Sequence, residues 1–265
     1  ALHQESNGLI LVGSNVDNGA LQIFDPKHPE RGSRPFPNFF AGDEREAYHG
    51  ILSISPDRGG NLWIGTAWIP FRKISRDRRN VIPFTVRTSK GEQTDLVHSV
   101  CEDRLGTLWV GDLHGLFRYD TATKSLYHYT STRSNPLTIG DNFITHIMET
   151  RAGDVWVATK GGGIAKYDRR RDVFTRVTID NGLQGKEFNR CSFVKGNNGE
   201  MFFGGTEGVN SFFPDLFQDN PTPPLAAIMS VRDIGGDTAY SVAYREELDL
   251  THGQNNISIE AAALE

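Results

Sequence analysis

One seven-residue phrase recurs along the chain at nearly constant spacing. It runs from a glycine to a central aromatic residue, which recurs at Trp63, Trp109, Trp156 and Phe202 in steps of 46, 47 and 46 residues. A fainter copy places Leu11 in the same position. Self-similarity at this period is typical of arrays of supersecondary units that bury their apolar faces against one another. The repeat therefore constrains the fold more than any other feature.

Each repeat contains four short apolar runs separated by turn residues. In the third unit these are residues 96–100, the strand around Trp109, a run ending at Tyr119 and Asp120, and residues 125–129. Four short strands in about 40–50 residues are the pattern of a β-propeller blade. We predict an all-β fold with five four-stranded blades that form part of a larger propeller. The first unit is the weakest, because its polar opening residues 1–7 predict no regular inner strand.

The repeated residues are predicted to serve the architecture. An aromatic side chain in the second strand can fill the wedge between neighbouring blades. A glycine two residues later leaves room for close backbone approach. The predicted structural residues are Trp63, Trp109, Trp156, Phe202, Gly65, Gly111 and Gly204.

Composition excludes several other classes of protein. The net charge of −5 argues against a nucleic-acid partner. No apolar run is long enough to cross a bilayer as a helix. Cys101 and Cys191 occupy non-equivalent positions in different repeats, so no disulfide is expected. No nucleotide-binding or metalloprotease motif occurs, and the histidines near the inner strands are staggered, so neither cofactor nor metal is expected.

Residues that differ between blades are better candidates for function. The segments that enter the inner strands gather at one end of a propeller axis, where polar side chains can converge on a small polar ligand. Amide, guanidinium, carboxylate and aromatic groups together suit an oligosaccharide. The candidate ligand-binding residues are Tyr48, His49, Asp95, His98, Asn142, His146, Asn189 and Arg190.

Residues 102–120 resemble the two-component regulator propeller repeat. The segment 180–214 is similar to the last blade of that family's sensor regions, and residues 225–260 are similar to the first strands of the immunoglobulin-like module that follows. The resemblance divides the chain into a propeller segment at 1–219, a Pro-rich linker at 220–224 and a partial immunoglobulin-like β-sandwich at 225–260. Residues 261–265 look like a tail derived from a cloning vector.

The resemblance implies a function for this segment. Such propellers form the periplasmic sensor region of hybrid two-component histidine kinases, whose missing parts supply the membrane anchor. It also implies signal transduction without catalysis by the segment itself, and many members look like sensors of oligosaccharides. A homodimer through blade edges or the C-terminal module is a further expectation.

Two alternatives remain open at this stage. A propeller glycoside hydrolase or polysaccharide lyase would need two carboxylates facing the channel, for which Asp95, Asp141 and Glu187 are the candidates. A protein-binding scaffold would use the face of the ring instead.

Overall fold

The structure, a computed structural model, describes residues 1–14, 21–39, 50–87, 94, 96–217, 225–233, 239–241 and 256–264. The chain divides into two compact units, Ala1–Phe217 and Gln218–Glu265. The predicted Pro-rich linker at 220–224 lies outside the described residues.

The first unit consists of five antiparallel sheets, here called blades 1 to 5, whose strands follow one another in chain order. Blade 1 contains β1 (Leu2–Gln4), β2 (Ile10–Gly13), β3 (Leu21–Phe24) and β4 (Ser33–Pro35). Blade 2 contains β5 (Ile51–Pro56), β6 (Leu62–Thr66), β7 (Phe71–Ile74) and β8 (Val81–Phe84). Blade 3 contains β9 (Ser99–Glu102), β10 (Thr107–Gly111), β11 (Leu116–Asp120) and β12 (Leu126–Tyr129).

Blade 4 contains β13 (Ile144–Glu149), β14 (Val155–Thr159), β15 (Ile164–Asp168) and β16 (Val173–Val177). Blade 5 contains β17 (Phe188–Lys195), β18 (Met201–Gly205) and β19 (Gly208–Phe212) among the described residues. Short 3-10 helices lie at Pro29–Arg31, Ile179–Asn181 and Pro214–Leu216. The predicted all-β fold of five propeller blades is confirmed, although blade 5 shows three strands within the described ranges instead of the expected four.

The inner strands β1, β5, β9, β13 and β17 contact one another in succession. The thiol of Cys191 on β17 also donates to the carbonyl of Leu52 on β5 at 3.3 Å. The inner strands of blades 5 and 2 therefore meet. The prediction that blade 1 lacks an inner strand is wrong, because backbone pairing of Leu2 with Val12 forms β1 despite its polar sequence.

Turns between the first and second strands use a common local chemistry. The carboxylate of Asp103 accepts from the backbone N–H groups of Leu105 and Thr107 at 2.9 and 3.0 Å. Gly106 closes this turn with a φ of 77°. That left-handed conformation favours glycine because it has no Cβ. Asp103 therefore shapes the turn that it begins.

Four apolar clusters fill the wedges between the five blades. Successive residues of a strand point to opposite faces, so Trp109 faces blade 4 while Leu108 and Val110 face blade 2. The same alternation places Trp63 between blades 2 and 3 and Trp156 between blades 4 and 5. The wedge between blades 1 and 2 contains the aliphatic side chain of Leu11. Each blade boundary is thus a buried core of its own.

The repeated glycines lie where neighbouring chains approach closely. A Cβ atom on Gly111 would overlap the side chain of Ile144 in blade 4, and one on Gly65 would overlap the carbonyl of Val97 in blade 3. A Cβ on Gly204 would lie 3.0 Å from that of Ser192 within blade 5. The first two positions therefore bring adjacent blades together, whereas the third affects only its own sheet.

Charged side chains join neighbouring blades at the end where each inner strand turns into the second strand, here called the turn end. The backbone N–H of Arg104 and its Nε atom both donate to Glu149 Oε1, at 2.9 and 3.0 Å. Its terminal nitrogens donate to the carbonyls of Thr150 and Ala152 in blade 4, at 3.1 and 3.0 Å. Arg78 makes a two-pronged contact to Glu5 at 2.7 and 2.8 Å, which joins blades 2 and 1.

Blade 5 has an apolar flank that the clusters do not cover. Phe202 is half-buried and belongs to none of the four clusters, whereas its neighbour Phe203 is buried against blade 4. Val194 and Val209 on the same blade are largely exposed. The homodimer through blade edges stays a prediction for this surface.

The second unit contains one described sheet, in the order β21 (Ala239–Ser241), β20 (Leu225–Asp233) and β22 (Ile257–Leu264). All pairings are antiparallel, and the hydroxyl of Ser230 donates to Glu260 at 3.0 Å across the β20–β22 ladder. Residues 261–264, which look like a vector-derived tail, continue β22 opposite 225–228. The immunoglobulin-like sandwich stays a prediction.

We expect Trp109→Ala to lower the free energy of unfolding by about 3–5 kcal/mol, the usual cost of truncating a fully buried large aromatic residue. Trp109 is 0% exposed, and its Nε1 atom donates to the buried Asp103 at 2.7 Å. Trp68 is 65% exposed, so Trp68→Ala is the matched control and should change stability by less than about 0.5 kcal/mol. Urea unfolding followed by tryptophan fluorescence measures both. Equal losses in the two variants would contradict the wedge assignment.

We expect Arg104→Gln to lower the free energy of unfolding by about 1–3 kcal/mol, because Glu149 and two carbonyls of blade 4 lose a charged donor. Arg170 is exposed, so Arg170→Gln is the control for loss of one guanidinium. The midpoint of urea unfolding compares the variants. A variant at position 104 as stable as the control would show that the contact does not hold the blades together.

Candidate ligand-binding site

A cavity of about 390 Å³ lies where the chain enters the inner strands of blades 3, 4 and 5. This volume falls within the range of about 300–1,000 Å³ that is typical of small-molecule sites. Its apolar walls come from Leu96, Leu113 and Phe188. The remaining lining residues are His98, Phe143, Thr145, Lys160, Asn189 and Arg190.

The buried His98 and Thr145 and the half-buried Phe143 form one part of the cavity, here called the floor. His98 is 3% exposed, and its imidazole stacks on the Phe143 ring with 4.7 Å between centroids. Thr145 is 1% exposed and lies on β13. Neither ring nitrogen of His98 nor the hydroxyl of Thr145 has a hydrogen-bond partner among the described residues. Such unpaired buried polar atoms are uncommon in native proteins and call for an explanation.

His98 is held in position by the backbone. Its N–H donates to the carbonyl of Gly111 at 2.9 Å, just before β9 begins. Burial and, to a smaller extent, the positive charge of Arg190 together lower the pKa of His98 to about 4. The imidazole is therefore neutral at physiological pH, with one nitrogen that donates and one that accepts.

The open part of the cavity is formed by Lys160, Asn189 and Arg190, here called the rim. All three side chains are exposed. Lys160 follows β14, and its backbone N–H donates to the carbonyl of Phe143 at 3.0 Å. Its ammonium lies 5.3 Å from the centroid of the Phe143 ring. Asn189 and Arg190 lie in an irregular stretch of β17, where the pairing with β18 shifts.

Three of the predicted ligand-binding residues line this cavity, namely His98, Asn189 and Arg190. His146 does not, because its Nδ1 atom lies 3.2 Å from the hydroxyl of Ser99 and its ring stacks on Phe193. Burial holds the pKa of His146 well below its usual range.

Asn142 also lies outside the cavity lining. Its side-chain carbonyl accepts from the N–H of Ser131 at 2.6 Å, which fixes the loop before β13. The predicted residues Tyr48, His49 and Asp95 lie outside the described residues.

Phe143, Thr145 and Lys160 also line the cavity, and they are not among the predicted residues. Antiparallel pairing brings the end of each second strand to the beginning of its inner strand, so Lys160 after β14 lies beside Phe143 before β13. Lys160 lies in the connection after a second strand. Such connections reach the same end of the blade as the segments before the inner strands, so they also contain candidate residues. Thr145 lies 11 residues before Trp156, as His98 lies 11 residues before Trp109, so this shared spacing would have indicated it.

Among the described residues, no group of three histidine, cysteine or acidic side chains lies close enough to hold a metal ion. A second cavity of about 390 Å³ lies at the turn end, and charged residues line it. Two of them are already engaged, since Arg104 donates to the carboxylate of Glu149 and Lys195 donates to its backbone carbonyl. The cavity at the strand entrances is thus the better candidate for a ligand.

Comparisons with known proteins agree with this architecture. Residues 138–161 match the family model described as the two-component regulator propeller. An alignment over 130 residues, which covers 46% of this chain, shows 29% identity to histidine kinase P4 of Formosa agariphila. The chain spans 9% of the length of that kinase.

Two solved structures show the same fold. One is the extracellular domain of a hybrid two-component system from B. thetaiotaomicron, with 20% identity, a TM-score of 0.50, and coverage of 99% of this chain and 40% of that one. The other is a luciferin-regenerating enzyme, with 13% identity, a TM-score of 0.54, and coverage of 77% of this chain and 68% of that one.

The described residues contain no helix with the length and hydrophobicity needed to span a bilayer. The matched segment 138–161 runs from the loop before β13 through Trp156 to the connection after β14, and so includes three residues of the candidate site. Residues 138–161, which include β13 and β14 of blade 4, therefore match one two-component regulator propeller repeat.

Proposed function

We propose that this segment is the extracytoplasmic ligand-sensing part of a hybrid two-component sensor histidine kinase, and that it binds a small hydroxylated ligand such as an oligosaccharide. The match to the propeller repeat and the likeness to a histidine kinase support the sensor role. The periplasm is the location that this role implies. The segment itself binds the ligand and does not transform it.

The observation that carries the proposal is the pair of unpartnered polar groups on the floor. A sugar hydroxyl both donates and accepts, so it complements a neutral imidazole and the hydroxyl of Thr145. Burial of such groups without partners costs free energy, and a ligand hydroxyl would recover it. Asn189 on the rim adds an amide that can donate and accept.

Hydrolysis of the ligand has weaker support. Neither Asp141 nor Glu187 is among the residues that line the cavity. Asp141 instead accepts from the backbone N–H of Phe143 at 2.7 Å, which fixes the loop. A glycosidase would need two carboxyl groups flanking the scissile bond.

We expect a panel of neutral and acidic oligosaccharides to contain a ligand that raises the melting temperature of the protein. His98→Phe keeps the stacking on Phe143 but removes both ring nitrogens, so it should weaken binding roughly tenfold. His28→Phe, at an exposed position in blade 1, is the matched control and should not. Calorimetric titration measures the affinities.

Chromatography of the incubated sugars checks the alternatives. A cleaved product would favour the enzyme. Binding that is unaffected by His98→Phe would remove the candidate site, and a protein partner captured without any sugar effect would favour a scaffold.

The neutrality of His98 predicts a pH dependence of stability. In the unfolded chain its pKa is about 6.5, and in the folded protein it is about 4. Between these values the unfolded state binds more protons, so stability is full above the unfolded value and falls as pH drops toward the folded one. The loss from this group is about 3 kcal/mol at most.

His98→Phe should therefore flatten the dependence of the unfolding free energy on pH between the two values, while His28→Phe should leave the slope unchanged. His146 acts in the same direction and retains part of the slope in the variant. Urea unfolding at a series of pH values measures the slopes. Identical slopes in the wild type and His98→Phe would contradict a buried neutral imidazole.

A further inference from the structure

The rim of the cavity carries positive charge. Lys160 and Arg190 both line it, and none of the described lining residues is acidic. The chain as a whole has a net charge of −5, so its bulk composition does not account for this local excess. The charge is a property of the site.

Neither rim cation is neutralised within the described part of the chain. Lys160 contacts the face of the Phe143 ring, and Arg190 acts electrostatically on His98. The cations that join blades behave differently, since Arg78 pairs with Glu5 and Arg104 pairs with Glu149.

Two described aspartates at the strand entrances, Asp112 and Asp141, are already engaged. Asp112 accepts from the backbone N–H groups of His114 and Gly115 at 2.6 and 3.1 Å. Asp141 accepts from the N–H of Phe143 at 2.7 Å. Both carboxylates therefore stabilise turns instead of pairing with Lys160 or Arg190.

The floor and the rim offer different chemistry at different depths. His98 and Thr145 present unpartnered neutral groups in the buried part, and Lys160 and Arg190 present ammonium and guanidinium groups in the open part. A ligand that satisfies both has hydroxyl groups at one end and an anionic group at the other. Charge-assisted hydrogen bonds to carboxylate or sulfate oxygens are among the strongest that such side chains form.

We propose that the ligand is an acidic sugar, whose carboxylate or sulfate group binds Lys160 and Arg190 while its hydroxyls bind His98 and Thr145. This inference rests on the proposed function and adds the chemical class of the ligand. It assigns a role to Lys160, which the sequence pattern did not single out. Arg190 supplies the planar fork that matches a carboxylate or sulfate with two parallel contacts.

Calorimetric titration with D-glucose, D-glucuronate and D-glucose 6-sulfate tests the proposal. These probes share one ring and differ in the anionic group. We expect at least one of the two anionic sugars to bind tenfold or more tightly than glucose, and added salt to weaken its binding. Preference for glucuronate identifies a carboxylate as the source of the charge, and preference for the 6-sulfate identifies a sulfate ester.

Lys160→Gln and Arg190→Gln should each weaken binding of the anionic sugar by roughly tenfold, the effect of losing one charge-assisted contact. Binding of glucose should not change. Lys124→Gln and Arg170→Gln remove the same charges from exposed turns after third strands, at the opposite end of the blades, and serve as matched controls.

Three outcomes distinguish this inference from the proposed function. Equal affinity for glucose and both anionic sugars overturns the acidic-sugar assignment, as do rim variants that behave like their controls. If neutral oligosaccharides bind through His98 and acidic ones bind no more tightly, the acidic-sugar assignment is wrong. The proposed sensor role is then unaffected. If no sugar, neutral or acidic, binds at millimolar concentration, both proposals fail.

Discussion

The packing of one side chain from each second strand into the wedge between two blades is the constraint on which the rest of the structure depends. In β10, Trp109 faces blade 4, and its neighbours Leu108 and Val110 face blade 2. Both faces of the sheet are therefore buried. A shift of one residue in register would exchange the two faces and destroy both cores. The blades consequently specify one another's registers as well as their own.

The polar contacts of the three repeated tryptophans vary, although all three side chains are buried. Trp63 donates to Glu102 in the next blade at 2.8 Å, and Trp109 donates to Asp103 in its own blade at 2.7 Å. Trp156 has no partner for its Nε1 atom among the described residues. The repeated requirement is therefore the apolar volume of the indole. Hydrogen bonds of the indole adapt to the residues that each blade supplies.

The fold could be predicted from the sequence because the repeat reports a requirement that every blade shares. Phe202 is an exception to the predicted burial of the repeated aromatic residue, because it occupies the repeated position but is only half-buried. Burial at that position requires a neighbouring blade, and a sequence motif does not supply one. The prediction that blade 1 has no inner strand is wrong for a different reason. The backbone of β1 pairs with β2 although the side chains of residues 1–7 are mostly polar. Local composition does not reveal backbone pairing that a neighbouring strand imposes.

The candidate site was only partly predictable, because residues that differ between blades have no pattern. His98 and His146 both lie at inner strands, yet one opens onto the cavity and the other bonds Ser99. The difference arises from spacing, because His98 lies 11 residues before Trp109 whereas His146 lies 10 residues before Trp156, and successive residues of a strand point to opposite faces. The position of Lys160 at the cavity could be predicted, because antiparallel pairing places the end of β14 beside the beginning of β13.

The floor also explains how a ligand can be linked to the arrangement of the blades. Each unpaired buried polar group costs about 1–3 kcal/mol, and a ligand hydroxyl bound to His98 or Thr145 offsets that cost. His98 belongs to blade 3, Thr145 to blade 4 and Arg190 to blade 5. The free energy gained on binding therefore depends on the relative positions of three blades. In the proposed function, a ligand that spans them would bind two arrangements of those blades unequally, which is the thermodynamic condition for a sensor to respond.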